Sequence, residues 1–174
     1  MYRWRVRCGL IAALTALILS RPNFLSASAG FLITLAGMSL RTWACRNLKK
    51  EEELTISGPY RYTRNPLYLG NLFIGIGIVA ASRSWWVLAL FLVYFLLFYP
   101  VAINKEKRRM TELFPESYGA YRQKVPLFFP TLRPKLSSKK TSSGCMLYKK
   151  NREYRALIGT AFYWIALLIK GLVF

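Results

Sequence analysis

A chain of 174 residues that is 54% hydrophobic and 16% aromatic carries more apolar surface than one soluble domain of that length can hide. Its formal charge of +19 would suggest nucleic acid in a soluble protein, but the basic residues alternate with long apolar runs and no nucleic-acid reading module is present, so contact with anionic lipid headgroups explains them better. With no histidine, and with Cys8, Cys45 and Cys145 showing no CxxC spacing, the composition argues against histidine-based nucleophile systems, histidine-ligated metals, a disulfide framework and a zinc site; no metal is expected.

The apolar runs Cys8–Ser20, Phe24–Cys45, Pro66–Ser82, Trp85–Ile103 and Ala156–Phe174 predict an all-α, polytopic membrane bundle of five transmembrane helices, because crossing a hydrocarbon core of about 30 Å takes about 20 helical residues. The first run is short, and snorkelling of Arg3, Arg5 and Arg7 extends it. A signal peptide would need a cleavage site of small residues, which Ser20-Arg21-Pro22 is not. Arg21-Pro22-Asn23 turns the chain into the second run, where Ala27, Ser28, Ala29 and Gly30 offer close contact within a hairpin. Arg41, in Leu40-Arg41-Thr42-Trp43-Ala44, reads equally as a snorkelling arginine beside an interfacial tryptophan and as a site residue. Basic residues crowd the N-terminus and the segments Arg46–Arg64 and Lys105–Arg155, while the turns between hold only Arg21 and Arg83. This positive-inside pattern places the N-terminus and both basic segments in the cytoplasm.

The segment Ser57–Asn71 reads SGPYRYTRNPLYLGN. Gly58-Pro59 makes a turn and Pro66 opens the third helix. An aromatic belt accounts for Tyr60, Tyr62 and Tyr68 alone, but not for Arg61, Arg64 and Asn65 packed among them before a helix N-terminus. Free N–H groups, a positive dipole end and two guanidinium groups suit a carboxylate, and tyrosine faces suit a flat ring or a cation, so a ligand with both is expected. Gly70, Gly75 and Gly77 read as helix packing, because no strand precedes them to make a dinucleotide fingerprint. Only Arg83-Ser84 separates the third and fourth runs, so a tight antiparallel hairpin returns Glu106 to the cytoplasmic side beside the loop. There Glu106 either meets a ligand ammonium or belongs to a surface ion-pair helix with Arg108, Arg109 and Glu112. Pro115–Pro130, bearing Tyr118, Tyr121, Val125, Pro126, Phe128 and Phe129, suits a lid over the site. Ser137–Gly144 is linker-like, and Lys170 snorkels at the outer end of the last run. The chain divides into an N-terminal hairpin (1–45), a cofactor-binding core (46–135) and a linker with C-terminal membrane helix (136–174) within one domain.

Taken in order, Leu40-Arg41-Thr42-Trp43-Ala44, Gly58–Gly70, Glu106, Phe114–Tyr121 and Val125-Pro126 resemble the integral-membrane methyltransferases typified by isoprenylcysteine carboxyl methyltransferase, a family that includes the phospholipid N-methyltransferases. The resemblance implies S-adenosylmethionine in a cytoplasmic pocket closed by the C-terminal segment, with a lipophilic or prenylated acceptor arriving from the bilayer. It assigns Arg64, Glu106, Tyr60, Tyr62, Tyr68, Tyr118 and Tyr121 to the carboxylate, ammonium, adenine and sulfonium of the cofactor, with Asn65, Pro66, Leu69 and Gly70 completing the motif. The chain departs from the family in having Asn65 for histidine, Ala102 for an arginine, Lys107 for a second acid and Pro115 for glycine. Methyl transfer from a sulfonium needs neither metal nor covalent intermediate; Arg64 or Arg41 would position an acceptor carboxylate, and Glu106 would take the proton from an amine. The rival readings are a phospholipid N-methyltransferase, an NADPH-dependent enzyme of sterol-reductase type with its similar PYRY stretch, and an inactive membrane scaffold. Short loops and the absence of histidine suggest a prokaryotic cytoplasmic membrane, with membrane lipids rather than nucleic acid as surroundings.

Overall fold

A computed structural model describes residues 2–49, 52–132, 136 and 144–173, and among these it is all-helical. The helices are α1 (Tyr2–Leu19), α2 (Phe24–Asn47), α3 (Pro66–Ser82), α4 (Trp85–Leu113), α5 (Pro115–Lys124), α6 (Gly144–Lys150) and α7 (Tyr154–Val173), with a 3₁₀ turn at Gly58–Arg61. Each apolar run of the sequence becomes a helix, but among the described residues only α2 and α4 are both long and apolar enough to cross a membrane. The apolar part of α1, Val6–Leu19, and α3 are shorter; the 17 residues of α3 rise about 25 Å, less than a hydrocarbon core of about 30 Å. The expectation of five spans is thus met by two on length and composition. Apolar side chains such as Leu92, Val93, Leu96 and Leu97 of α4 and Leu10, Ile11, Leu14 and Ile18 of α1 face outward, which suits lipid rather than water.

The turns follow from local chemistry. Asn23 caps α2 through a reciprocal box, its Oδ1 accepting from the Ser26 N–H at 2.8 Å while its own N–H donates to Ser26 Oγ at 3.1 Å. Between α3 and α4, Arg83 adopts the left-handed conformation (φ 51°), which closes the hairpin within the two expected residues.

Four glycines set the closest helix pair. Gly30 and Gly37 of α2 face Gly77 and Gly70 of α3: a Cβ at Gly30 would lie 2.3 Å from the Gly77 carbonyl oxygen, and one at Gly37 would lie 2.7 Å from that of Gly70. Two glycines two turns apart on each helix thus let the backbones touch. The close partner of Gly30 is therefore α3, not α1 as the hairpin reading expected; α1 packs instead on α4 and α7. Gly37→Leu should destabilise the protein by about 1–3 kcal/mol, read as a lower melting temperature in detergent, because backbone cannot move aside as a flexible side chain would.

The last helix belongs to the bundle. Trp164 and Leu167 of α7 are buried against Ala81 of α3, and Trp164 meets Phe31 edge-on at 5.3 Å. Lys170 does not simply snorkel: its Nζ donates to the carbonyls of Leu17 (2.8 Å) and Ile18 (2.6 Å), capping the C-terminal end of α1. The short helix α6, not foreseen from sequence, packs on α2. Most of the expected linker, 137–143, lies outside the described residues.

Candidate functional site

The aromatic loop is built around one glycine. Gly58 takes a left-handed φ of 55°, and a Cβ there would lie 2.6 Å from the Asn47 side chain, so the turn admits no larger residue without strain. Beyond it the chain is stitched to the segment after α5. The Arg64 N–H donates to the Pro126 carbonyl at 3.0 Å, and the Thr131 N–H donates to that of Tyr62 at 2.9 Å. The Thr63 hydroxyl donates to the Phe128 carbonyl and Asn65 Nδ2 to that of Leu127, both at 2.8 Å. Asn65 therefore spends its amide on this strap and does not cap α3. Arg61 Nε donates to the Leu136 carbonyl at 2.8 Å.

Helix α5 presents Tyr118 and Tyr121 to the same loop. With Val125 they form a small buried core into which Leu54, Ile56, Met110 and Phe114 pack. The Tyr121 hydroxyl donates to the Tyr60 carbonyl at 2.7 Å. Arg64 Nη1 reaches the Tyr118 hydroxyl at 3.4 Å, while Arg64 Nε is buried with no hydrogen-bond partner. Burial, reinforced by the charge of Glu106 on α4, pushes the Tyr60 phenol well above its ordinary pKa. Burial also raises that of Tyr121, with Arg64 opposing. Both remain neutral at physiological pH, so they bind and donate but do not act as bases. Glu106 itself is exposed on the part of α4 that runs past the apolar stretch.

The remaining candidate residues fall elsewhere. Tyr62 packs against Trp43, ring centres 6.1 Å apart. Pro66 and Leu69 are buried, and Gly70 lies where α3 meets α2, a Cβ there falling 2.5 Å from Arg41 Cγ. Tyr68 lines a cavity between α1, α3 and α4. Arg41 is engaged on every side: Nε and Nη2 grip the two carboxylate oxygens of Glu153 at 2.7 and 2.8 Å, and Nη1 donates to Asn71 Oδ1. Glu153 is 3% exposed and also accepts from the Cys45 thiol at 3.1 Å. Asn151 adds bonds from Nδ2 to the carbonyls of Cys45 (3.1 Å) and Leu48 (3.0 Å). Sequence reasoning missed Glu153 and Asn71. A signal for the first existed: an arginine within an apolar helix demands an acid, and the chain holds only seven.

A family model described as phospholipid methyltransferase matches residues 25–117. The chain is 38% identical over 109 residues to the cobalt-zinc-cadmium resistance protein CzcN of Cupriavidus metallidurans, an alignment covering 58% of this chain and 50% of that protein. It is 35% identical over 138 residues to the nickel-cobalt-cadmium resistance protein NccN of Alcaligenes xylosoxydans xylosoxydans, covering 74% and 63%. With the protein-S-isoprenylcysteine O-methyltransferase of Schizosaccharomyces pombe it shares 28% identity over 97 residues, covering 56% and 41%. The chain thus spans less than two thirds of the length of each of these relatives. No solved structure matches it.

Proposed function

The chain belongs to the phospholipid methyltransferase family and is a membrane protein, and from these premises we propose that it transfers a methyl group from S-adenosylmethionine to a lipophilic acceptor, most simply a carboxylate of isoprenylcysteine type. The observation that carries this reading is Arg64. A buried guanidinium nitrogen without a partner is rare and asks for an acceptor, and a carboxylate is the acceptor a guanidinium fits best. Tyr118 meets Arg64, and Tyr60 feels the charge of Glu106, so aromatic residues for the adenine and a carboxylate for the ammonium of the cofactor come from the same loop, α4 and α5.

When bound, S-adenosylmethionine supplies an electrophilic methyl on sulfur. The chain's own work is then positional. Arg64 anchors one end of the ligand, and the strap from Pro126 to Thr131 holds Arg64 by its backbone. The neutral phenols of Tyr60 and Tyr121 keep the wall of the site uncharged, and the core around Val125 excludes water. A carboxylate acceptor is already ionised and needs no base. The phospholipid description of the family favours a second reading, an amine acceptor, for which exposed Glu106 is the proton acceptor.

In this reading the loop, Glu106 and the N-terminus face the cytoplasm. Two relatives carry metal-resistance names, and we extend that setting to this chain: methyl esterification of a lipid carboxylate removes one negative charge that would attract metal cations to the membrane surface. Calorimetry on detergent-purified protein should detect S-adenosylmethionine binding, weakened about tenfold or more by Glu106→Ala through loss of a charge-assisted contact. Absence of any heat of binding in the wild-type protein would sink the proposal.

A further inference from the structure

The residues from Val125 to Leu132 read VPLFFPTL, without a single charge in a chain whose net charge is +19. They form no regular helix, and their side chains face two ways. Val125 is buried in the core beneath α5, whereas Pro126, Leu127, Phe129 and Pro130 are exposed, Phe129 by 76%. Exposed Arg122 and Lys124 end α5 just before this apolar stretch begins.

Position and hydrogen bonding both indicate what covers the exposed side. The Phe128 ring meets Phe95 edge-on, ring centres 6.2 Å apart, and Phe95 stacks on Tyr99 at 4.1 Å. Phe95 lies ten residues before Lys105, a rise of about 15 Å, so the strap touches α4 within its apolar stretch and not at its charged end. Leu92 and Leu96 flank Phe95 on α4 and are exposed, so Phe129 extends a face already suited to lipid. Irregular backbone is tolerated at that depth only where its polar groups find partners within the protein. Here Pro126 and Pro130 bring no N–H at all. The carbonyls of Pro126, Leu127 and Phe128 accept from the aromatic loop, and the Thr131 N–H donates to it, so much of the backbone is paired internally.

We propose that this strap is a wedge that inserts Phe129, with Leu127 and the two prolines, into the acyl region of the bilayer, while Arg122 and Lys124 meet the headgroup phosphates. Its other side holds the aromatic loop, through the hydroxyl of Thr63, the backbone N–H of Arg64 and the amide of Asn65. Lipid contact on one side therefore fixes the loop on the other. The bilayer itself orders the segment that carries Arg64. This inference rests on the chain being a membrane protein and not on the methyl-transfer reading.

Insertion is tested by placing a nitroxide at position 129 of the full chain (Phe129→Cys with Cys8→Ser and Cys145→Ser) in liposomes of phosphatidylcholine and phosphatidylglycerol. Cys45 is buried and stays, and the same protein with Phe129 intact gives its background. Power-saturation spectra with oxygen and a water-soluble nickel chelate should report acyl-region depth, as for a label at Leu96→Cys. Nickel access equal to that of a label at Lys105→Cys, on the charged end of α4, overturns the proposal. Coupling is read by hydrogen exchange in nanodiscs of the same lipids. Phe129→Ser should speed exchange of the Arg64 and Thr131 amides by about tenfold, because a strap without its anchor opens locally more often, whereas Phe129→Leu keeps an apolar anchor and should exchange like wild type. Unchanged exchange in Phe129→Ser, or equal acceleration in Phe129→Leu, would show that lipid does not hold the loop. Neither measurement uses S-adenosylmethionine, so failure here leaves the cofactor proposal to its own calorimetry.

Discussion

A Glu153→Ala variant should lose about 3–5 kcal/mol of stability, the cost of leaving one member of a buried ion pair uncompensated. The side chains of Arg41 and Glu153 are 14% and 4% exposed, so water cannot replace the lost partner. The loss also cuts the clasp between the start of α7 and the end of α2, where Glu153 further receives the Cys45 thiol. The opposite outcome is expected when both charges go: Arg41→Leu with Glu153→Leu should recover much of the stability, since apolar pairs often replace buried ion pairs at little cost. Thermal unfolding of the wild type, Arg41→Leu, Glu153→Leu and the double variant in one detergent gives the coupling energy directly. An unchanged melting temperature in Glu153→Ala would mean that the bidentate pair does not hold α7.

What the sequence disclosed and what it hid divide along physical lines. Apolar runs declare helices, and five of the seven followed from them, with Arg83-Ser84 and Gly58-Pro59 marking their turns. Helix neighbours were harder. The small residues near Gly30 advertise close packing, but only the match of two glycines on α2 with two on α3, each pair two turns apart, says against which helix. The strap between the aromatic loop and the segment after α5 runs largely through backbone carbonyls, which no residue code announces. Arg41 shows the limit most clearly. Read alone, it is an interfacial or site arginine; its acid lies 112 positions further on, in a basic run where a single glutamate looks incidental. Cys45 and Asn151 join that network for the same reason, through contacts of long sequence separation. Burial of Tyr60, Tyr118 and Tyr121 was equally invisible, because an aromatic belt at headgroup depth and a packed site wall use the same residue.

Arg64 should behave in the opposite way to Glu153. The bond that holds the loop to Pro126 comes from the Arg64 backbone N–H, so Arg64→Leu leaves that link of the strap in place. It also removes a buried Nε that has no partner and a long 3.4 Å contact to Tyr118, both of which contribute little to the fold or cost it stability. The unliganded variant should therefore melt at the wild-type temperature or slightly above it, by up to about 1 kcal/mol in stability. In the proposed function the same change removes the charge that would anchor a ligand carboxylate, worth about 1.5–3 kcal/mol, so S-adenosylmethionine affinity should fall by roughly 10- to 150-fold. Calorimetry reads the affinity and thermal unfolding without ligand reads the fold, and the two should move independently. A variant that binds as tightly as wild type would show that the orphaned nitrogen does not face the cofactor. One that loses stability and binding together would assign Arg64 to packing. Stability held or gained while affinity falls is the signature of a residue kept for its ligand at a cost to the fold.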